Sequence, residues 1–369
     1  MVDISIDVNG MHFDNPFVIG SGPPGTSYKT IAKSFKVGWG GVVAKTVSLD
    51  STEVVNVAPR YGKLYTPDGS NCVGFQNIEL ISDRKLTDWL PEFRRLKEEY
   101  PTKILIASIM EQYAKDRWQE LTGLIDETGV DAFEINFSCP HGHPEDNMGA
   151  AMGQKPDIVQ EVTGWVRAAT KKPIWAKMTP NIQDIRKPAR AAMAGGADGV
   201  SAINTILAVI GVDLNTLRPQ PTVEGYSTPG GFSYQAVKPI ALRMVSELAL
   251  DNPQMEISGI GGVLTGNDAI EHLLLGASTV QVCTGAMLQG HAMVQDLIKG
   301  LQAFMERHGF KTVREFVGKS LPYFTTHHDL VERQKQARAA KAGQSGRDTE
   351  WDGDNMVDHT AALTANKRS

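Results

Sequence analysis

Cysteine is scarce in this chain of 369 residues: Cys72, Cys139 and Cys283 are widely spaced and odd in number. That set argues against a disulfide framework and suits a reducing, cytoplasmic setting. It also argues against an iron–sulfur cluster in this chain, because a cluster takes about four closely spaced thiolates and no CxxC pair occurs. No metal site is expected either. Long apolar runs are missing, so nothing approaches the roughly 20 residues a membrane span requires. Met1–Gly10 carries Asp3 and Asp7 and lacks the basic end and apolar core of a secretion signal. Positive charge is not in excess: 37 Lys and Arg against 42 Asp and Glu give a net charge of -5, which disfavours a nucleic-acid partner. With 41% hydrophobic and 21% charged residues the chain has globular composition, and small-molecule chemistry is the expectation.

Short apolar runs recur along the chain, each too brief for a helix. They are Phe17 to Gly20, Val42 to Lys45, Ile104 to Ser108, Ala132 to Asn136, Ile174 to Lys177, Val200 to Asn204, Met255 to Ser258 and Thr279 to Cys283. Between them lie segments with apolar residues at three-to-four spacing: Trp89 to Tyr100, Asp116 to Gly129, Pro156 to Thr170, Ile185 to Gly195 and Ala236 to Leu248. Near-continuous apolar strands alternating with helices require a parallel sheet covered on its outer face, and this number of them predicts an α/β (β/α)8 TIM barrel. Barrel active sites are built from residues leaving the carboxyl ends of the strands. Those ends read Ser21, Lys45, Ser108, Asn136 with Ser138 and Cys139, Lys177, Asn204 with Thr205, Gly261 with Gly262, and Cys283 with Thr284.

Two connections are long, Thr46 to Thr102 and the Gly-, Pro- and Thr-rich Thr205 to Tyr234, as lids or interface elements are. From Val331 the composition turns small, polar and charged. The expected organisation is a catalytic barrel over 1–330 and an extended or disordered tail over 331–369.

The segment Phe133 to Gln154 carries the sharpest chemical signal, since Asn136, Ser138 and Cys139 leave a buried strand together. A lone cysteine is more often a small buried apolar residue. Set beside two polar residues at a strand end, it becomes a candidate functional residue.

The runs NFSCPHG, FQNIELIS at Phe75 to Ser82, AKMTPN at Ala176 to Asn181, GGADGV then AINT at Gly195 to Thr205, and SGIGG at Ser258 to Gly262 occur in one order. Together they resemble the FMN-binding catalytic barrel of dihydropyrimidine dehydrogenase, in its bacterial catalytic-subunit type, with class 1 dihydroorotate dehydrogenases as more distant relatives. The resemblance covers residues 5–310 and is carried by several long motifs at once. It implies a flavoprotein oxidoreductase of pyrimidine catabolism that reduces uracil or thymine to the dihydro product. Cys139 would give a proton to C5 while FMN delivers hydride to C6. Asn77, Asn136, Ser138, Asn204 and Thr205 would hold the base, whose alternating donors and acceptors match carboxamides. Ser21, Lys45, Thr46 and Lys177 would contact the flavin, the lysines stabilising its anionic reduced form. Ile260, Gly261, Gly262, Cys283 and Thr284, ahead of a helix near Ala286, would hold the FMN phosphate.

This chain departs from the resembled pattern at two places. Tyr234 stands where a glycine usually lets backbone approach the flavin. No iron–sulfur domain follows the barrel and no Rossmann fingerprint occurs, so reducing equivalents from NADPH or NADH are expected through a partner subunit that binds FAD, NAD(P) and iron–sulfur. A homo-oligomer or hetero-complex is expected. The alternatives are a class 1 dihydroorotate dehydrogenase of pyrimidine biosynthesis, and a non-catalytic subunit that only retains flavin.

Overall fold

The computed structural model describes residues 2–138, 149–340 and 355–364. Its centre is a closed ring of eight parallel strands: β1 (Phe17–Ile19), β2 (Gly41–Val43), β3 (Ile104–Ile109), β4 (Ala132–Asn136), β5 (Ile174–Lys177), β6 (Gly199–Ala202), β7 (Glu256–Ile260) and β8 (Thr279–Val282). Each pairs with its sequence neighbour and β8 returns to β1, which is the expected (β/α)8 barrel. Each strand coincides with one of the eight apolar runs to within a residue or two. Nearly all of these residues are buried, since helices cover the outer face while side chains fill the interior.

The covering layer is α1 (Tyr28–Val37), α2 (Leu86–Glu99), α3 (Lys115–Asp126), α4 (Pro156–Ala169), α5 (Arg186–Ala194), α6 (Lys238–Asp251), α7 (Gly266–Leu274) and α8 (Val294–His308). Local sequence sets their ends. Ser27 and Thr30 form a capping box at the start of α1, and Gly38 closes it in the left-handed conformation that a side chain disfavours. Thr265 and Asp268 cap α7 in the same reciprocal way. An antiparallel hairpin, Ile6–Val8 with Met11–Phe13, lies at the amino-terminal mouth, where Phe13 stacks on Trp175 and Asn9 accepts the Trp175 indole N–H at 2.8 Å.

The two long connections are ordered where the sequence showed only loops. The first supplies the strands Tyr61–Tyr65 and Cys72–Asn77, the second Ile206–Ala208 and Gly230–Ser233, and all four join in one antiparallel sheet. Phe75, Asn77, Phe232 and Ser233 on this sheet line the cleft at the carboxyl ends of the barrel strands. It is therefore the roof of the site, built by pairing segments about 150 positions apart.

The chain divides into compact units after Leu321, earlier than the expected boundary at residue 330. In the second unit His327–Ala340 is helical, as is Met356–Leu363, which corrects the expectation of an extended or disordered tail from residue 331 for these stretches. The first helix has no apolar stripe to announce it. It rests on helix-favouring Glu, Arg, Gln, Lys and Ala, with an Arg333–Asp329 pair at i,i+4 spacing.

Candidate functional site

Seven of the eight barrel strands, all but β3, send residues at or after their carboxyl ends into a single cleft. Its walls include Ser21, Lys45, Thr46, Asn77, Asn136, Lys177, Asn204, Thr205, Ile260, Gly261, Gly262, Cys283 and Thr284, so thirteen residues singled out from the sequence meet here. Ser138 is not on the wall but buried behind it. Cys139 lies outside the described residues.

A hydrogen-bonded chain of small polar side chains crosses the strand ends. Ser21 Oγ and Thr46 Oγ1 are 3.2 Å apart, and Thr46 Oγ1 accepts from Asn136 Nδ2 at 3.0 Å. Asn136 Oδ1 in turn accepts both the N–H and the hydroxyl of Ser138, at 3.1 and 3.0 Å. Asn204 Nδ2 donates to Ser138 Oγ at 2.6 Å, while Asn204 Oδ1 accepts the Thr205 N–H at 2.9 Å. Ser138 thus ties two carboxamides together instead of facing the cleft. Each amide carries two N–H donors and two lone pairs, so Asn136 keeps one N–H for a ligand and Asn204 one N–H and one lone pair among the described residues. On the roof, Asn77 Nδ2 donates to the Gly231 carbonyl at 3.2 Å and Asn77 Oδ1 accepts the Glu79 N–H at 3.3 Å.

The charges show what sequence reasoning missed. Lys45 Nζ sits 3.0 Å from Glu79 Oε1, both side chains under one-tenth exposed, and Arg60 approaches the same oxygen at 3.5 Å. Lys177 Nζ sits 3.3 Å from Glu134 Oε1 and donates to Gln281 Oε1 at 3.2 Å. Glu79, Glu134 and Gln281 all line the cleft, and each lysine there has its own carboxylate. Glu134 was legible in principle, being a lone carboxylate inside an apolar strand. Glu79 gave no such signal, as its partner comes from another strand end. Tyr61, beside Glu79, is pushed up to about 12 by burial and by that carboxylate, and stays a neutral phenol.

At the far side Gly261 and Gly262 both have left-handed φ, +138° and +75°. A Cβ on Gly262 would lie 2.8 Å from the Lys238 backbone, so only glycine brings the chain this close. The helix after β8 is short and begins at Thr284, two residues before the expected start. Thr284 Oγ1 contacts Ser233 Oγ at 2.9 Å, joining roof to barrel. Burial pushes the Cys283 thiol up to about 11, which keeps it protonated. Tyr234 lines the cleft at φ +78°, so it occupies the conformation a glycine would adopt without strain.

The Gly261 turn is held from behind. His272 on α7 is fully buried, pairs Nε2 with the Gly261 carbonyl at 3.1 Å, and has no partner for Nδ1 among the described residues. Burial lowers it from 6.5 to about 4. A histidine depressed in this way gives stability that is full above pH 6.5 and is lost as pH falls towards 4, by about 3 kcal/mol. Urea unfolding at pH 7 and pH 4 should therefore show an acid loss about 3 kcal/mol smaller in His272→Gln than in the wild type. Equal acid losses would remove this assignment.

The comparisons with known proteins agree with this geometry. The dihydroorotate dehydrogenase family profile matches residues 3–305. The chain belongs to the dihydroorotate dehydrogenase family. Among curated relatives, dihydropyrimidine dehydrogenase (NADP(+)), chloroplastic, of Arabidopsis thaliana is 54% identical over 99% of this chain and 88% of its own length. The NAD-dependent dihydropyrimidine dehydrogenase subunit PreA of Escherichia coli is 43% identical over 86% of this chain and 76% of its own. The dihydroorotate dehydrogenase B (NAD(+)) catalytic subunit of Pyrococcus abyssi is 36% identical over 86% and 99%. A crystal structure of dihydroorotate dehydrogenase from Eimeria tenella in complex with ferulenol superposes with a TM-score of 0.72 at 20% identity, covering 86% of this chain and 88% of that one, which shows the shared barrel. No helix among the described residues is long and apolar enough to cross a membrane.

Membership of this dihydroorotate dehydrogenase family implies a flavin, and the donor set fits one. Apolar surface from Ile203, Val237, Ile260 and Val263 lies beside hydroxyls, two ammonium groups and the glycine turn, as a flat ring system bearing a phosphate requires.

Proposed function

We propose that this chain is the catalytic barrel of a dihydropyrimidine dehydrogenase, an FMN-dependent oxidoreductase that saturates the 5,6 double bond of uracil or thymine. The observation that carries the choice of substrate is charge balance. Among the described residues of the cleft the cations are Lys45 and Lys177, and each is already matched by a carboxylate, Glu79 and Glu134. A neutral base fits such a site without leaving a charge unpaired, whereas the carboxylate of orotate would have to displace one of these buried pairs.

When bound, FMN supplies the hydride that C6 of the ring accepts. Cys139, the residue after Ser138, supplies the proton to C5, so that one hydride and one proton add across the double bond. Asn77, Asn136, Asn204 and Thr205 orient the ring, and Ser138 fixes the mutual angle of Asn136 and Asn204. Lys45, Lys177, Ser21 and Thr46 would hold the ring system of the flavin, while Gly261, Gly262 and Thr284 would hold its phosphate.

Electrons enter through a partner subunit that binds NAD(P)H, FAD and iron–sulfur. Two of the relatives are named as subunits, which supports this reading. The chain purified alone with FMN should therefore show no prompt bleaching of its flavin by NADPH or NADH. Prompt bleaching would show that no partner is needed. With an artificial reductant the same preparation should turn over uracil or thymine. Turnover of dihydroorotate alone would instead establish the dihydroorotate dehydrogenase reading.

A further inference from the structure

The inside of the barrel beneath the cleft is polar where packing alone calls for branched apolar residues. Glu134, Lys177, Ser201, Ser258, Thr279 and Gln281 come from β4 to β8, and all are at most 4% exposed. Their contacts form one network. Glu134 Oε2 accepts from Ser201 Oγ at 2.6 Å and from Gln281 Nε2 at 2.9 Å, while Oε1 faces Lys177 Nζ at 3.3 Å. Gln281 Oε1 accepts from Lys177 at 3.2 Å, and its Nε2 also reaches Ser201 and Ser258 at 3.0 and 3.2 Å. Thr279 Oγ1 donates to Ser258 Oγ at 2.7 Å.

Stability does not explain such a cluster, because buried ion pairs can often be replaced by well-packed apolar residues at no loss. Its effect on Lys177 does. An ammonium has three donors on a flexible stem. Two are taken by Glu134 and Gln281, which fixes the head group at the floor of the cleft. The carboxylate also cancels the charge it orients, so a group bound above meets the positive end of a pair and not a free cation.

We propose that the charge of Glu134, set against that of Lys177 at the floor of the cleft, sets how easily the bound flavin is reduced. This rests on the flavin reading given above. Reduction adds negative charge to the flavin, so a carboxylate below it opposes reduction and its removal favours it. The charge at the floor is zero with Lys177 and Glu134 both present, positive without Glu134, and negative without Lys177.

The test is an anaerobic redox titration of the FMN-loaded chain. Glu134→Gln should shift the flavin equilibrium roughly tenfold towards the reduced form, about 30 mV upwards for a two-electron couple. Adding Glu134→Gln to Lys177→Gln should raise the potential of that single variant by a similar factor. This background also serves if Glu134→Gln alone does not fold, since it leaves no unmatched cation. A shift under threefold in whichever background folds would reduce Glu134 to packing. A wild-type chain that takes up no FMN would overturn the flavin reading and this one with it, and is told apart by its visible spectrum.

Discussion

Cys139→Ala is expected to lower the rate of dihydropyrimidine formation by about 10²- to 10⁴-fold, the range for losing a positioned general acid. Among the described residues of the cleft the proton for C5 has few other sources. The hydroxyls and carboxamides of the cleft, Thr46, Asn136, Asn204 and Thr205, are poor acids, and the Cys283 thiol is held protonated near 11 by burial. Lys45 and Lys177 are committed to Glu79 and Glu134. The proposed reading gives that role to Cys139, the residue that follows Ser138. Cys139→Ser should also lose activity, because a hydroxyl is a far weaker acid than a thiol of about pKa 8.5. The check is stopped-flow oxidation of the pre-reduced flavin by uracil, with flavin content matched by absorbance. An unchanged rate in Cys139→Ala would remove its acid role while leaving the fold and cofactor readings intact.

Much of this architecture could be read from sequence because barrels are built from local repeats. Eight apolar runs such as Ile104–Ile109 and Ile174–Lys177 announce themselves by composition, and topology alone brings residues at the ends of seven of them, all but Ile104–Ile109, to the cleft. The strands of the roof were not legible for the opposite reason. Tyr61–Tyr65 and Gly230–Ser233 are short and glycine-containing, and they become strands by pairing with Cys72–Asn77 and, for Gly230–Ser233, also with Ile206–Ala208. The counter-charges were hidden likewise. Lys45 was visible as a cation at a strand end, but Glu79 reaches it from the long connection, and Gln281 meets Lys177 across the barrel interior. The helix His327–Ala340 escaped because a search for apolar periodicity finds nothing in a segment held by propensity and exposed charge pairs.

Lys177→Met should destabilise the barrel by about 3–5 kcal/mol, the cost of leaving a buried charge without its partner. Glu134 is fully buried, and the remaining donors on it, Ser201 and Gln281, are neutral. A surface pair such as Lys299 with Asp296 offers the contrast: both side chains are more than 70% exposed, and breaking that pair should cost no more than about 1 kcal/mol. Removing both buried charges in Lys177→Met/Glu134→Leu should recover most of the loss, because apolar side chains then fill a layer that barrels ordinarily fill that way. Guanidinium unfolding of the wild type, both single variants and the double closes the cycle. Additive losses would mean that the two residues do not act on each other. Recovery of stability without recovery of turnover would show that this pair is retained for what it does to the cleft, since the fold does not need it.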